Sequence, residues 1–395
     1  MTRKLALAGG AAAAAGLAAV LWSQGPATPA TASLHIAAAP VSVVSGLDRS
    51  AAGTGVVSRS GVSRGGVSRD EVSSFALAPT QTDKERVAAY WSPERLKQAS
   101  SYVPSTKPSP PAKSVPSAQE VVPGEVSRGA TPPRRAAASV PGDAPPMVGK
   151  VFFKVGDKQY WCSASAVHSV HRNLVATAGH CAYALAQDTP VENWIFIPSY
   201  HDGVAPKGIF VGHTLYMHED FAGQGDFDRD YAFVTVHRGF TWQAYTEQGR
   251  FKYRAVDVGR LEDKAGAFLF TSAKPLARRV SAFGYPAGAH PDGTRPYDGQ
   301  TVRTCSGTTE KKTVSAPTWQ LEHGVRLPGC AFTAGASGGP WVVGYDDVKR
   351  TGYLTGVTSL TWNLSGGGRL DAVSTPYFNT LTRRVYAQAG RQGTG

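Results

Sequence analysis

The sequence predicts an all-β domain over residues 147–395, behind an N-terminal half that builds no sizeable core of its own. Three observations carry this. Beyond residue 147 the chain runs in short apolar and aromatic stretches broken by Gly, Asp and Asn, the pattern of strands and turns. All four cysteines and six of the eight tryptophans lie after residue 148, so the material for packing is concentrated there. Residues 1–148 instead hold 16 of the 27 prolines. The net charge of +12 divides evenly, +6 on each side of residue 148, with no dense Lys/Arg block. That excludes a nucleic-acid footprint, and the lack of a long apolar run after Trp22 excludes a multi-span membrane protein.

Residues 1–32 read as an export signal. Arg3-Lys4 precede an Ala-rich apolar stretch from Leu5 to Trp22, and Ala30-Thr31-Ala32 fits the small-x-small cleavage pattern. The alternative is a membrane anchor over Leu5–Trp22. Export places the protein outside the cell, where four cysteines are expected to form two disulfides. Residues 33–146 read as a largely disordered pro-segment or linker. Val57-Ser58-Arg59, Val62-Ser63-Arg64 and Val67-Ser68-Arg69 form a low-complexity repeat too polar to offset its ordering entropy. One island, Thr82–Ser101, stands apart: Ser92-Pro93-Glu94 opens a helix, and Trp91, Leu96 and Tyr90 offer it a small docking face. From Val103 to Pro146 the chain is Pro-rich and extended, with a dibasic cleavage site at Arg134-Arg135.

Within 147–395, Val151–Val155, a Gly156-Asp157 turn and Gln159–Ala166 predict a hairpin. Further strands are expected at Leu174–Thr177, Trp194–Pro198, Ile209–Met217 and Tyr231–His237. After a loop-rich middle come Phe268–Phe270, Arg278–Phe283, Gly299–Thr304, Thr318–Glu322, Trp341–Tyr345 and Tyr353–Leu360. The C-terminus changes period, and Thr375-Pro376 is expected to cap a helix with the apolar face Phe378, Leu381 and Val385.

Three motifs follow in order: Thr177-Ala178-Gly179-His180-Cys181, Asp230-Tyr231-Ala232-Phe233-Val234 and Gly335-Ala336-Ser337-Gly338-Gly339-Pro340. A serine hydroxyl is a poor nucleophile at neutral pH. It needs an imidazole to take its proton and a carboxylate to hold that imidazole in the right tautomer. His180, Asp230 and Ser337 supply these groups, and the flanking glycines free the backbone to aim N–H groups at a developing oxyanion. Asp226 and Asp228 are alternative carboxylates. His168 and His171 read as strand or turn residues. His213 and His218, followed by Glu219 and Asp220, fall on opposite faces of a strand at a spacing of five, which argues against zinc.

With these motifs the chain resembles the chymotrypsin-like serine peptidases, in the secreted bacterial branch that includes the glutamyl endopeptidases. The resemblance spans about residues 147–390 and rests on the His, Asp, Ser order with separations of 50 and 107 residues, and on Cys181 directly after the histidine. It implies two six-stranded antiparallel β-barrels, a C-terminal helix packed back on them and an active site in the cleft between. It assigns Ser337 as nucleophile, His180 as general base then acid, Asp230 as orienting carboxylate, and the N–H groups of Gly335 and Ser337 as oxyanion hole. It further implies Ser359 beside the catalytic Asp, the pairings Cys162–Cys181 and Cys305–Cys330, protein or peptide substrates, no metal or cofactor, and a monomer.

Two departures from the family pattern matter. Ala336 replaces the Asp that receives a new N-terminus in animal zymogens, so the pro-segment is expected to regulate as folding aid or as a block over the cleft. At the specificity pocket, Ala331 falls where trypsin-like enzymes carry Asp, and Thr358 where glutamate-specific relatives carry His. Ala331, Phe332, Thr333, Ala334, Ser359 and Thr361 are the expected pocket walls, giving a neutral pocket for small or apolar side chains. The alternatives to a secreted serine endopeptidase are a non-catalytic binding or adhesion protein on the same fold, and an esterase.

Overall fold

The computed structural model describes residues 71–105, 137–138 and 144–394 except 249. The export signal, the Val-Ser-Arg repeat and the dibasic pair Arg134-Arg135 lie outside the described residues.

The first hairpin forms where alternation and the Gly156-Asp157 turn place it, as β2 (Val148–Val155) and β3 (Lys158–Val167), after a short N-terminal strand β1 (Val72–Ala76). It continues through β4 (Leu174–Thr177), β5 (Glu192–Pro198), β6 (Phe210–His218) and β7 (Ala232–Val236). Antiparallel ladders run β6-β7-β4-β3-β2-β5 and back to β6, where Phe210 and Val211 pair with Phe196 and Ile195. Every strand of this ring has two partners, so the barrel has no open edge there.

A long hairpin, β8 (Gly239–Glu247) and β9 (Arg250–Gly259), fills what the sequence suggests is a loop-rich middle. Its alternation (Phe-Thr-Trp-Gln-Ala-Tyr) is strand-like on inspection. The second half contains β10 (Arg279–Gly284), β11 (Arg303–Thr308), β12 (Leu321–Pro328), β13 (Pro340–Asp346), β14 (Thr351–Val357), β15 (Leu360–Trp362) and β16 (Ala372–Pro376). They form two ladders, β14-β13-β10-β11 and β12-β16-β15. At one seam the Val357 N–H donates to Thr375 Oγ1 at 2.9 Å; at the other the Glu310 N–H donates to Arg326 O, and Cys305–Cys330 bridges the two sides. The fold is the expected all-β, chymotrypsin-like architecture, with one correction: the first barrel is closed by ladder hydrogen bonds, whereas the second half is a half-barrel of two separate ladders held together by such single contacts.

The C-terminal helix (Thr380–Ala389) begins later than Thr375-Pro376, which remain in β16. Its cap is Asn379, whose side chain accepts the N–H of Leu381 and Thr382 while Thr382 Oγ1 receives the N–H of Asn379. Val385 faces inward, and Tyr386 stacks on Phe270 with ring centroids 4.2 Å apart.

The packed structure starts well before residue 147. Only Phe210 and Val211 of β6 are needed to close the barrel, leaving the edge from Thr214 to His218 free, and β1 pairs with it antiparallel, Val72 opposite His218. Helices α1 (Gln81–Tyr90) and α2 (Pro93–Gln98) follow, α1 opened by a Thr80–Asp83 capping box and α2 by Ser92 with Pro93 at its first position. The expected docking face is present: Trp91 and Leu96 are buried, Trp91 meets Phe152 edge-on at 5.8 Å, and its Nε1–H donates to Asn193 O at 2.6 Å. The Ala78 carbonyl lies 2.7 Å from His237 Nε2, and Glu71 pairs with Arg384. The five-residue strand Val-Ser-Ser-Phe-Ala is too short and polar to stand out, and it gains its stability from an edge supplied more than a hundred residues away.

Trp91→Ala is predicted to cost about 3–5 kcal/mol by removing a buried indole and stranding the Asn193 carbonyl. Urea unfolding of the full chain checks this as a lowered midpoint; a change below about 1 kcal/mol would contradict shared packing.

Candidate active site

The end of β4, the approach to β7 and the turn before β13 converge. His180 lies in a single 3₁₀ turn, Gly179–Cys181, directly after β4, and Cys181 is tied to Cys162 of β3. Asp230 closes a second 3₁₀ turn, Phe227–Arg229, leading into β7. Its carboxylate is fully buried and receives three donors: the backbone N–H of His180 at 2.9 Å, His180 Nδ1 at 2.8 Å and the hydroxyl of Ser359 at 2.6 Å. Burying a carboxylate is tolerable only when its oxygens are satisfied, and here both are. The bond to Asp230 makes Nδ1 the protonated nitrogen and leaves Nε2 free to accept a proton. Nε2 is buried and has no hydrogen-bond partner among the described residues.

Ser337 is placed by Ser163 on β3. The Ser163 N–H donates to Ser337 O at 2.8 Å, its hydroxyl donates to Gly335 O at 2.7 Å and accepts the N–H of Tyr285 at 2.8 Å, and its carbonyl accepts from Thr177 Oγ1. Glycine is required on both sides of the serine. Gly335 (φ 98°) presses on the Trp161 indole, and a Cβ on Gly338 (φ 78°) would collide with Thr177 Oγ1 and Ser163 O. The N–H of Gly338 bonds to Thr358 O, beside Ser359. Ser337 is thus held between the strand end that leads to His180 and the residue next to Asp230's third donor. No backbone acceptor among the described residues takes the N–H of Gly335 or Ser337.

Asp226 accepts the N–H of Asp228, and Asp228 accepts the N–H of Glu322 and His323 and bonds His323 Nδ1; of the three aspartates only Asp230 bonds to His180 among the described residues. His168 pairs with Glu262, His171 reaches Arg391 O, His213 stacks edge-on against His237, and His218 Nδ1 accepts the N–H of Asp220.

Of the six expected pocket walls, Ala331 lines a cavity of about 400 Å³ together with His290, Thr294, Arg295, Pro296, Tyr297, Arg369 and Leu370. Arg369 is partly offset by Asp292 at 3.0 Å. Phe332 and Thr333 are fully buried, and Ala334 O is taken by the N–H groups of Ala287 and Gly288. Ser359 serves Asp230, and Thr361 is an exposed residue of β15 opposite Val373. The cavity comes from the loop 290–297, which carries no sequence signal for a pocket.

Sequence reading also missed Lys150. Its side chain is 1 % exposed, with Nζ 3.7 Å from the Trp161 ring, 4.4 Å from Tyr200 and 5.5 Å from Tyr285. The rings offset part of the desolvation cost, yet burial still pulls its pKa down to about 7, against a small opposing pull from Asp298. The clue in the sequence is a single lysine inside the apolar run Val148–Val155.

No protein-family model matches the chain, and no curated protein matches it. Among solved structures it is similar to the protease Anisep from Arthrobacter nicotinovorans, at 27 % identity and TM-score 0.50, over 63 % of this chain and 98 % of that one. The chain has the fold of the chymotrypsin-like serine peptidases. Other similar structures are the thermostable serine protease AL20 from an extremophilic microorganism (28 % identity, TM-score 0.49, 63 % of this chain and 99 % of that one) and a Glu endopeptidase (13 % identity, TM-score 0.45, 66 % and 98 %).

A lysine whose folded-state pKa lies below its ordinary 10.5 lets the unfolded chain hold a proton that the peptidase fold lacks between pH 7 and 10.5. Stability from this group is therefore lowest below pH 7 and rises through that window. Lys150→Met is predicted to raise stability most near pH 6, the advantage shrinking by roughly 1.4 kcal/mol per pH unit above 7. Denaturant unfolding at pH 6, 8 and 9 checks it, and a gap independent of pH would contradict it.

Proposed function

We propose that the chain is a secreted serine endopeptidase, acting as a monomer on protein or peptide substrates. The observation that carries this reading is the buried His180–Asp230 bond at 2.8 Å, on a turn that follows the strand end packed against the turn bearing Ser337. In the proposed cycle Ser337 Oγ attacks the scissile carbonyl while His180 Nε2 takes the hydroxyl proton. The oxyanion is received by the N–H groups of Gly335 and Ser337. His180, now an imidazolium beside Asp230, gives its proton to the leaving amine, and the C–N bond breaks to leave an ester on Ser337. Water deprotonated by His180 then attacks the ester, releasing the acid and restoring the hydroxyl. Asp230 stays ionised throughout, and Ser359 holds it in place.

Secretion is supported by the signal-like residues 1–32 and by the two disulfides. Among the described residues no helix is long and apolar enough to cross a membrane. The intact set of His180, Asp230 and Ser337 favours catalysis over a purely binding role, and casein hydrolysis separates a peptidase from an esterase.

Mature protein is predicted to label with an organofluorophosphonate probe and to cleave casein. Ser337→Ala should abolish both, and Asp230→Asn should lower kcat about 10⁴-fold by allowing the wrong tautomer. Folded protein that neither labels nor cleaves would favour the binding alternative.

A further inference from the structure

We propose that Ser100–Tyr102 is an autoinhibitory latch, which must leave the edge of β3 before a polypeptide can reach Ser337. The proposal rests on the peptidase reading above and specifies how that site is controlled.

The latch lies along an edge of β3 close to the turns that carry His180 and Ser337. Ser100 and Ser101 pair in parallel with Tyr160 and Trp161, and the Tyr102 N–H donates to Trp161 O at 3.0 Å. Trp161 immediately precedes Cys162, which is bridged to Cys181 beside His180, and Ser163 holds the Ser337 carbonyl. The edge that the latch occupies is therefore within two residues of contacts to both the histidine turn and the nucleophile turn. An extended peptide crossing Ser337 on that side needs the same backbone groups.

Tyr102 adds a cover. Its ring lies 6.2 Å from the His180 imidazole at an interplanar angle of 25°, while Phe227 stacks on the imidazole at 6.1 Å and 17°. In this arrangement His180 is 1 % exposed and Ser337 8 %. Proton delivery to a leaving amine requires that amine to approach Nε2, which is buried while Tyr102 is in place.

Attachment is uneven along the segment in the way a latch requires. β1 and Trp91 anchor it through a five-residue ladder, a buried indole and the bond to Asn193. The latch itself is a two-residue pairing with Tyr102 edge-on to Phe153 at 5.3 Å and Tyr160 at 5.1 Å, and Val103 directly after it is 66 % exposed. Firm anchoring keeps the latch at high local concentration, and its release withdraws one buried ring, Tyr102 at 8 % exposure, from Phe153 and Tyr160.

The test uses the full chain with Tyr102→Ala and Tyr102→Phe, each normalised to sites titrated by a fluorophosphonate. Substrates are a quenched peptide extending three residues to either side of its cleaved bond, and a small nitrophenyl ester. The latch predicts that Tyr102→Ala raises kcat/KM on the peptide at least tenfold, and on the ester less than threefold, while Tyr102→Phe stays within twofold of the parent. Equal effects on both substrates, no change, or loss of titratable sites would overturn it, the last by making Tyr102 a building block of the site. A second measurement needs no change at Tyr102: hydrogen exchange at its amide in Ser337→Ala, with and without casein. Faster exchange with casein supports the latch, and unchanged exchange overturns it. Absence of labelling in the parent chain would instead bring down the peptidase reading, and the latch with it.

Discussion

A single buried carboxylate organises the molecule. Asp230 is fully enclosed, and its stability as an anion depends on three donors arriving together. Two come from His180, just after β4 of the first barrel, and the third from Ser359, between β14 and β15 of the second half. Losing any one leaves the buried carboxylate a donor short, so the two halves are held in one relative placement by the same bonds that orient the imidazole. Fold stability and the geometry required for catalysis are here the same constraint.

Ser163 does for the nucleophile what Ser359 does for the carboxylate. Its N–H, carbonyl and hydroxyl are all engaged, binding the turn around Ser337 to β3, to Thr177 of β4 and to Tyr285 after β10. Backbone comes so close at Gly335 and Gly338 that only hydrogen fits, which turns the Gly-Ala-Ser-Gly-Gly run from a composition feature into a packing requirement. The same strand, β3, carries the disulfide to Cys181 and the edge taken by Ser100–Tyr102. Ser337, His180 and Ser100–Tyr102 are thus all referred to one ten-residue strand.

Much of this was legible in the sequence. Alternation and turn residues located Leu174–Thr177 to the residue and most of the other strands to within a few, and the motif order picked out His180, Asp230 and Ser337 before any geometry was seen. What stayed hidden depends on contacts distant in sequence. β1 is a strand because β6 offers it an edge, Ser163 is polar and buried because three backbone groups and the Thr177 hydroxyl converge on it, and Lys150 is buried because rings from β3, Tyr200 and Tyr285 surround it. The cavity beside Ala331 shows the same limit: most of its lining comes from residues 290–297 and from Arg369 and Leu370, distant in sequence.

The central claim is that Ser337 is made nucleophilic by an imidazole oriented through Asp230. Pre-steady-state hydrolysis of a nitrophenyl ester tests it most directly, with the trapped acyl group located by peptide mapping. The account predicts a burst of one nitrophenolate per chain with the acyl group on Ser337. Steady release without a burst and no acylated chain, or an acyl group on any other residue, would contradict it.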